Sequence, residues 1–250
     1  MSCQRDAHPL RQVEDGGLGF CHDADRSLFV DREAHDGPLI VALDTNIVID
    51  IHRHGRDLIN DGAPAGSSQE AKEHGELVAL GQLVELWFTR DIRFLPLARS
   101  LTDSRRPMSS AQLASRAAAL DSIAASLAFQ SGAWRWDWRE ATRLGFAANT
   151  TATVADIPGD ADRELVNAAM QLGVDVFLTR DDRVLKADKR LHGINLWSPS
   201  TLLERLNNLA VTAFDGGIVR HVDCVYALGV PFGDTGKWAG LLEALNSPGE

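Results

Sequence analysis

A chain of 250 residues, 24% charged and 44% hydrophobic, is long enough to bury one substantial core and has the composition of an ordinary folded domain. Its formal net charge of −10 excludes a general electrostatic grip on nucleic acid over the whole surface, though not local contacts through arginine, which supplies most of the 25 basic residues. Cys3, Cys21 and Cys224 are an odd, scattered set without CxxC spacing, which argues against a disulfide framework or a structural zinc site. No apolar run reaches membrane-spanning length and residues 1–20 lack a basic-flanked apolar core, so the expected location is a reducing cytoplasm.

Residues 1–37 read as a polar extension with one short strand-like piece at 27–30. The adjacent Cys21-His22-Asp23 has no partner motif and reads as loop. The domain proper is expected over 38–210. Residues 39–43, LIVAL, run aliphatic without alternation after Gly37-Pro38, the pattern of a strand buried on both faces at the centre of a parallel sheet. Asp44 ends that strand, where it serves either as a helix cap or as a group in the ligand crevice beyond the strand ends. A helix begins near Ile47. His52, His54, Gly55 and the Gly/Ser-rich stretch 62–68 then predict a loop, and Leu77, Leu80, Leu83, Val84 and Trp87 predict a second helix.

A second strand is expected over 91–98, followed by Ser100 and Asp103 at a spacing like that of a capping box. Residues 110–130 have helical spacing inside an expected helical insert at about 104–159. Trp134, Trp136 and Trp138 alternate with Arg135, Asp137 and Arg139, a pattern that suits base stacking or the packing of a helical subdomain. Asp162, Leu165, Val166, Ala169 and Leu172 fall on one helix face, which puts an acid at the start of the inward stripe. A carboxylate so placed is costly unless solvated, paired or bound to metal. Gly173 stops this helix, 176–178 form a short buried strand, and Thr179-Arg180-Asp181-Asp182 repeat the polar cluster at a strand's end. Asp182 is expected to cap a helix starting at Arg183. A strand at 194–197 and a helix at 201–209 complete an α/β alternation that predicts a parallel sheet. Residues 211–250 form a C-terminal extension, with a strand expected at 218–228 and a helix near 237–245.

Asp44, Asp162 and Asp181, with Asp103 as a fourth, therefore stand at strand or helix ends that a parallel sheet gathers on one edge. Together they repel one another, and a divalent cation removes the conflict. All-oxygen ligands suit Mg²⁺ or Mn²⁺, and a pair of ions roughly 4 Å apart can clamp both oxygens of a phosphodiester displacement.

Asp44-Thr45-Asn46 after a hydrophobic strand, Asp162 opening a D-x-x-L-x-x-A-A helix, and Thr179-x-Asp181 after the next strand resemble the PIN-domain nucleases, a family that includes ribonuclease toxins of toxin–antitoxin pairs. The resemblance covers about residues 39–209. It implies a three-layer α/β/α fold with a central, mostly parallel sheet and metal-dependent cleavage of RNA. The implied site is Asp44, Asp103, Asp162 and Asp181, supported by Asn46 and Thr179. A toxin would add an antitoxin protein as partner, and two chains pairing would form a groove. The family's second acid is usually glutamate; Asp103 stands at the matching position here, with Glu85 as the alternative. The chain is also longer than the small toxins. Arg105 and Arg106, just past Asp103, read as phosphate contacts or as a solvated charge pair. Two rival readings remain: a PIN-like module that binds RNA or protein without strong catalysis, and a haloacid-dehalogenase-like phosphohydrolase with Asp44 as nucleophile. The latter needs a second acid two residues on, where Asn46 stands.

Overall fold

The strand β1, Leu39–Leu43, has all five side chains buried. Successive residues of a strand point to opposite faces, so a fully buried run means that both faces of the sheet are covered. The computed structural model that shows this describes residues 28, 39–59, 70–89, 92–97, 100, 110–128, 154–187, 193–208 and 235–246. The expected elements at 27–30 (apart from Leu28) and 218–228, the Cys21-His22-Asp23 triplet and the three interleaved tryptophans lie outside them.

β1 pairs in parallel with β2, Ile92–Pro96, in a register running from Leu39 opposite Ile92 to Leu43 opposite Pro96. On its other side it pairs in parallel with β3, Val176–Leu178, and β3 pairs in parallel with β4, Asn195–Trp197. The order is β2-β1-β3-β4. After β1 the chain steps outward to β2 and then returns to the opposite side of β1. This makes the gap between β1 and β3 the topological switch point, and open α/β sheets hold their ligands in the crevice at the carboxyl ends of such strands.

The helix α1, Thr45–Ile59, starts directly at the end of β1, with the Asp44 carbonyl accepting from the Ile47 and Val48 N–H groups. It buries Ile47, Val48, Ile51 and Leu58 on one face. The loop expected at His52, His54 and Gly55 is overturned, because α1 runs through all three. Gly55 is buried against the C-terminal helix: a β-carbon there would lie 2.7 Å from Leu245 Cδ2. Glycine weakens a helix by about 1 kcal/mol relative to alanine, and here that cost permits close helix approach.

The helix α2, Glu70–Thr89, buries Leu77, Leu80, Leu83, Val84 and Trp87, the set expected from spacing. Trp87 stacks on Phe94 of β2 with ring centroids 6.3 Å apart, and its indole N–H donates to the Leu127 carbonyl at 3.1 Å. Leu127 belongs to α3, Ser110–Ala128, which packs on β2 and sends Leu120 and Ile123 into the same core. Each such apolar side chain contributes about 1.5–3 kcal/mol of burial. A 3₁₀ turn, Val154–Asp156, leads to α4, Asp160–Gln171. That helix ends at Gly173, whose φ of 66° is left-handed. The Gly173 N–H returns to the Met170 carbonyl and the Val174 N–H to the Ala169 carbonyl, the paired closure that favours glycine at this position. After β3 comes the single turn α5, Asp182–Leu185. After β4 comes α6, Pro199–Asn208, which Ser198 caps through its Thr201 N–H contact. The helix α7, Thr235–Asn246, packs against α3 and α1, and the Ser126 hydroxyl donates to its Gly240 carbonyl. Among the described residues no helix is long and apolar enough to cross a membrane.

Candidate active site

The sheet order brings the end of β1 beside the end of β3, and side-chain hydrogen bonds join the two. Asp44 is buried, 6% exposed. Its Oδ1 accepts from the Thr45 N–H at 2.6 Å. Its Oδ2 accepts from Asn46 Nδ2 at 2.6 Å and from the Thr179 hydroxyl at 2.5 Å. Asn46 also reaches across the gap: its Oδ1 accepts from the Arg180 N–H, and its Nδ2 lies 3.3 Å from Thr179 Oγ1. The Thr179 hydroxyl in turn accepts from the Asp181 N–H at 3.0 Å. Asn46 and Thr179 thus orient the first acid and tie it to the segment that carries the last.

Asp44, Asp162 and Asp181 line one open pocket of about 370 Å³, together with Thr45, Asn46, Ile49, Ala161 and Leu165. Asp162 reaches it from the first turn of α4, which Gly159 introduces with a left-handed φ of 93°. A β-carbon at Gly159 would come within 2.9 Å of Asp162 Oδ2, so the glycine leaves that carboxylate its room. Burial, against the lowering effect of the Thr179 and Thr45 hydrogen bonds and with a smaller push from the charges of Asp162 and Asp181, brings the Asp44 carboxyl up to about 6. Ionisation of Asp44 is thus costly, chiefly because it is buried and in smaller part because two other acids face the same pocket.

Asp181 has a different environment. Arg183 donates to it from its backbone N–H at 2.8 Å, from Nε to both oxygens at 3.1 and 3.2 Å, and from Nη2 at 2.6 Å. These bonds hold its carboxyl below the usual carboxylate range despite partial burial. Asp181 is also the N-cap of α5. The expectation that Asp182 caps this helix is therefore corrected: Asp182 sits in the first turn and makes an exposed ion pair with Lys72 of α2 at 2.8 Å.

The donor set is carboxylate, amide and hydroxyl oxygen, which fits a hard divalent cation and not zinc. Among the described residues, no three Asp, Glu, His or Cys side chains stand close enough to hold one metal ion. Mg²⁺ needs fewer, since it keeps several waters and is commonly held by one or two carboxylates. Asp103, Arg105 and Arg106 lie outside the described residues. Ser100, three positions before Asp103, is buried and donates to the Leu43 carbonyl at 2.9 Å, next to Asp44. Glu85, the alternative second acid, lies in the body of α2 and does not line the pocket.

Sequence reasoning overlooked two arginines. Arg180 forms a two-point ion pair with Asp50, Nε to Oδ2 at 2.6 Å and Nη2 to Oδ1 at 2.7 Å, with Asp50 only 5% exposed. Asp50 follows Asn46 by four residues, so both meet the Thr179-Arg180 segment from one side of α1, and an acid inside the apolar run 47–51 was the available signal. Arg183 carried no comparable signal. Compared with protein-family models, curated proteins and solved structures, the chain matches none.

Proposed function

We propose that this chain is a Mg²⁺- or Mn²⁺-dependent ribonuclease on a PIN-like three-layer α/β/α fold, hydrolysing RNA phosphodiester bonds. One observation carries the reading: Asp44, Asp162 and Asp181, from three separate segments, line a single pocket at the switch point of a parallel sheet. Asp44 and one of the other two acids would hold the cation, with Asp103 retained from the sequence as a further ligand. When bound, the cation supplies positive charge to the phosphate under attack and eases proton loss from an attacking water. Asp44 needs no reorientation for this, because the Thr45 N–H, Asn46 and Thr179 hold its carboxylate in one position. Thr179 also fixes the Asp181 N–H, so the spacing of the first and last acids is set by one hydroxyl.

The test is cleavage of RNA by purified protein. Activity is expected with Mg²⁺ or Mn²⁺ and is lost with a chelator or on Asp44→Asn. Undiminished cleavage in excess chelator would overturn the proposal. If the chain is a toxin, its expression arrests growth and a cognate antitoxin relieves the arrest.

A second reading is a PIN-like module that binds RNA or protein with little catalysis. It is favoured by the engagement of Asp181 as helix cap and as partner of Arg183. Its signature is RNA binding that persists when Asp44, Asp103, Asp162 and Asp181 are all changed to Asn.

A further inference from the structure

Arg183 has 64% of its side chain exposed, yet it engages both oxygens of Asp181, a lining residue of the acidic pocket that is 20% exposed. Among the described residues, Arg180 is committed to buried Asp50, Lys72 to Asp182, and Arg163 to Asp160 and the Ile157 carbonyl. A divalent cation that uses Asp181 competes with Arg183 for the same two oxygens. A guanidinium released from Asp181 has a planar fork of donors suited to phosphate.

We propose that Arg183 exchanges partners, neutralising Asp181 in the metal-free protein and binding a phosphate of the RNA once a divalent cation has taken its place. The inference rests on the ribonuclease reading and assigns a phosphate-binding residue to the same site. The exchange moves no covalent bond. Removing the guanidinium should therefore shift metal binding and RNA binding in opposite directions, which loss of a purely structural arginine does not do.

The test compares wild type with Arg183→Gln and Arg183→Lys. The first readout is Mn²⁺ affinity without RNA, followed by the loss of the free Mn²⁺ paramagnetic resonance signal. Arg183→Gln should bind Mn²⁺ about three- to fivefold more tightly, the scale of a partly exposed ion pair. The second is cleavage of a single-stranded RNA at saturating Mn²⁺. There, KM should rise about tenfold with a smaller change in kcat, and the slope of log affinity against log salt should fall by about 0.7. Arg183→Lys, which keeps the charge but loses the fork, should fall between the two in both assays. Thermal melting of the variants checks that the exposed substitution leaves the fold intact. Unchanged or weaker Mn²⁺ binding by Arg183→Gln, or an unchanged KM, overturns the partner exchange while leaving the nuclease reading standing. A wild-type protein that neither binds Mn²⁺ nor cleaves RNA overturns both.

Discussion

Asp44 and Thr179, 135 residues apart, meet through a 2.5 Å hydrogen bond that spans the gap between the ends of β1 and β3. The hydroxyl donates to the carboxylate, so it favours the charged form and opposes the rise in pKa that burial causes. Thr179→Val keeps the shape but leaves Asp44 and the Asp181 N–H without their shared partner. The expected loss of stability is about 1–3 kcal/mol at pH 7.5, smaller at pH 5 where Asp44 is largely neutral. Thr179→Ser should restore most of it. Urea unfolding at the two pH values measures the difference, and equal losses would show that the bond does not depend on the charge of Asp44.

Asp44 itself gives a pH dependence with a definite sign. Its carboxyl rises from an ordinary 3.8 to about 6 in the folded chain, mainly through burial, so the fold binds the proton more tightly than the unfolded chain does. The favourable contribution is complete below pH 3.8 and is lost as pH rises through about 6. By pH 7.5 the ionised group costs the metal-free protein about 3 kcal/mol relative to acid conditions. Asp44→Asn removes most of that dependence. In a chelator at pH 7.5 the variant should be more stable than wild type by about 1–3 kcal/mol while lacking nuclease activity. Unfolding curves from pH 4.5 to 7.5 decide this, and parallel pH profiles for the two proteins count against it.

The Arg180–Asp50 pair should behave as a buried pair, not as a surface one. Replacing Arg180 with Met strands a carboxylate that is 5% exposed, with an expected loss of about 3–5 kcal/mol. Changing both partners together, Asp50→Leu with Arg180→Met, should recover most of the loss, because two well-packed apolar groups need no desolvation. A double-mutant cycle by chemical unfolding gives the coupling. Additive losses would mean that the pair contributes only as separate side chains.

Gly55 and Leu245 form a second testable pair. Gly55→Ala gains about 1 kcal/mol of helix propensity, but its new methyl meets Leu245 Cδ2 at 2.7 Å. The side-chain end of Leu245 can yield at some cost, so the single substitution is expected to change stability little. In a Leu245→Ala background the steric conflict is gone, and Gly55→Ala should stabilise by about 1 kcal/mol. Melting temperatures of the four proteins measure this coupling; the same effect of Gly55→Ala in both backgrounds contradicts the close approach.

The chain's local chemistry was sufficient to read its main elements. A continuous aliphatic run marked β1 over residues 39–43, apolar spacing marked α2 and α4, and Gly173 marked the end of α4 because backbone with positive φ selects for glycine. It was also sufficient to single out Asp44, Asp162 and Asp181, since an acid at a strand end or on an inward helix face is conspicuous in one dimension. Tertiary structure alone decided the rest. Gly55 reads locally as a helix breaker, and only the approach of α7, nearly two hundred residues on, gives it a place inside α1. The choice of Asp181 over Asp182 as the cap of α5 depends on how the segment leaves β3. The pairings of Arg180 with Asp50 and of Thr179 with Asp44 depend on β3 lying beside β1, a neighbour relation that the order β2-β1-β3-β4 creates and that no local propensity encodes.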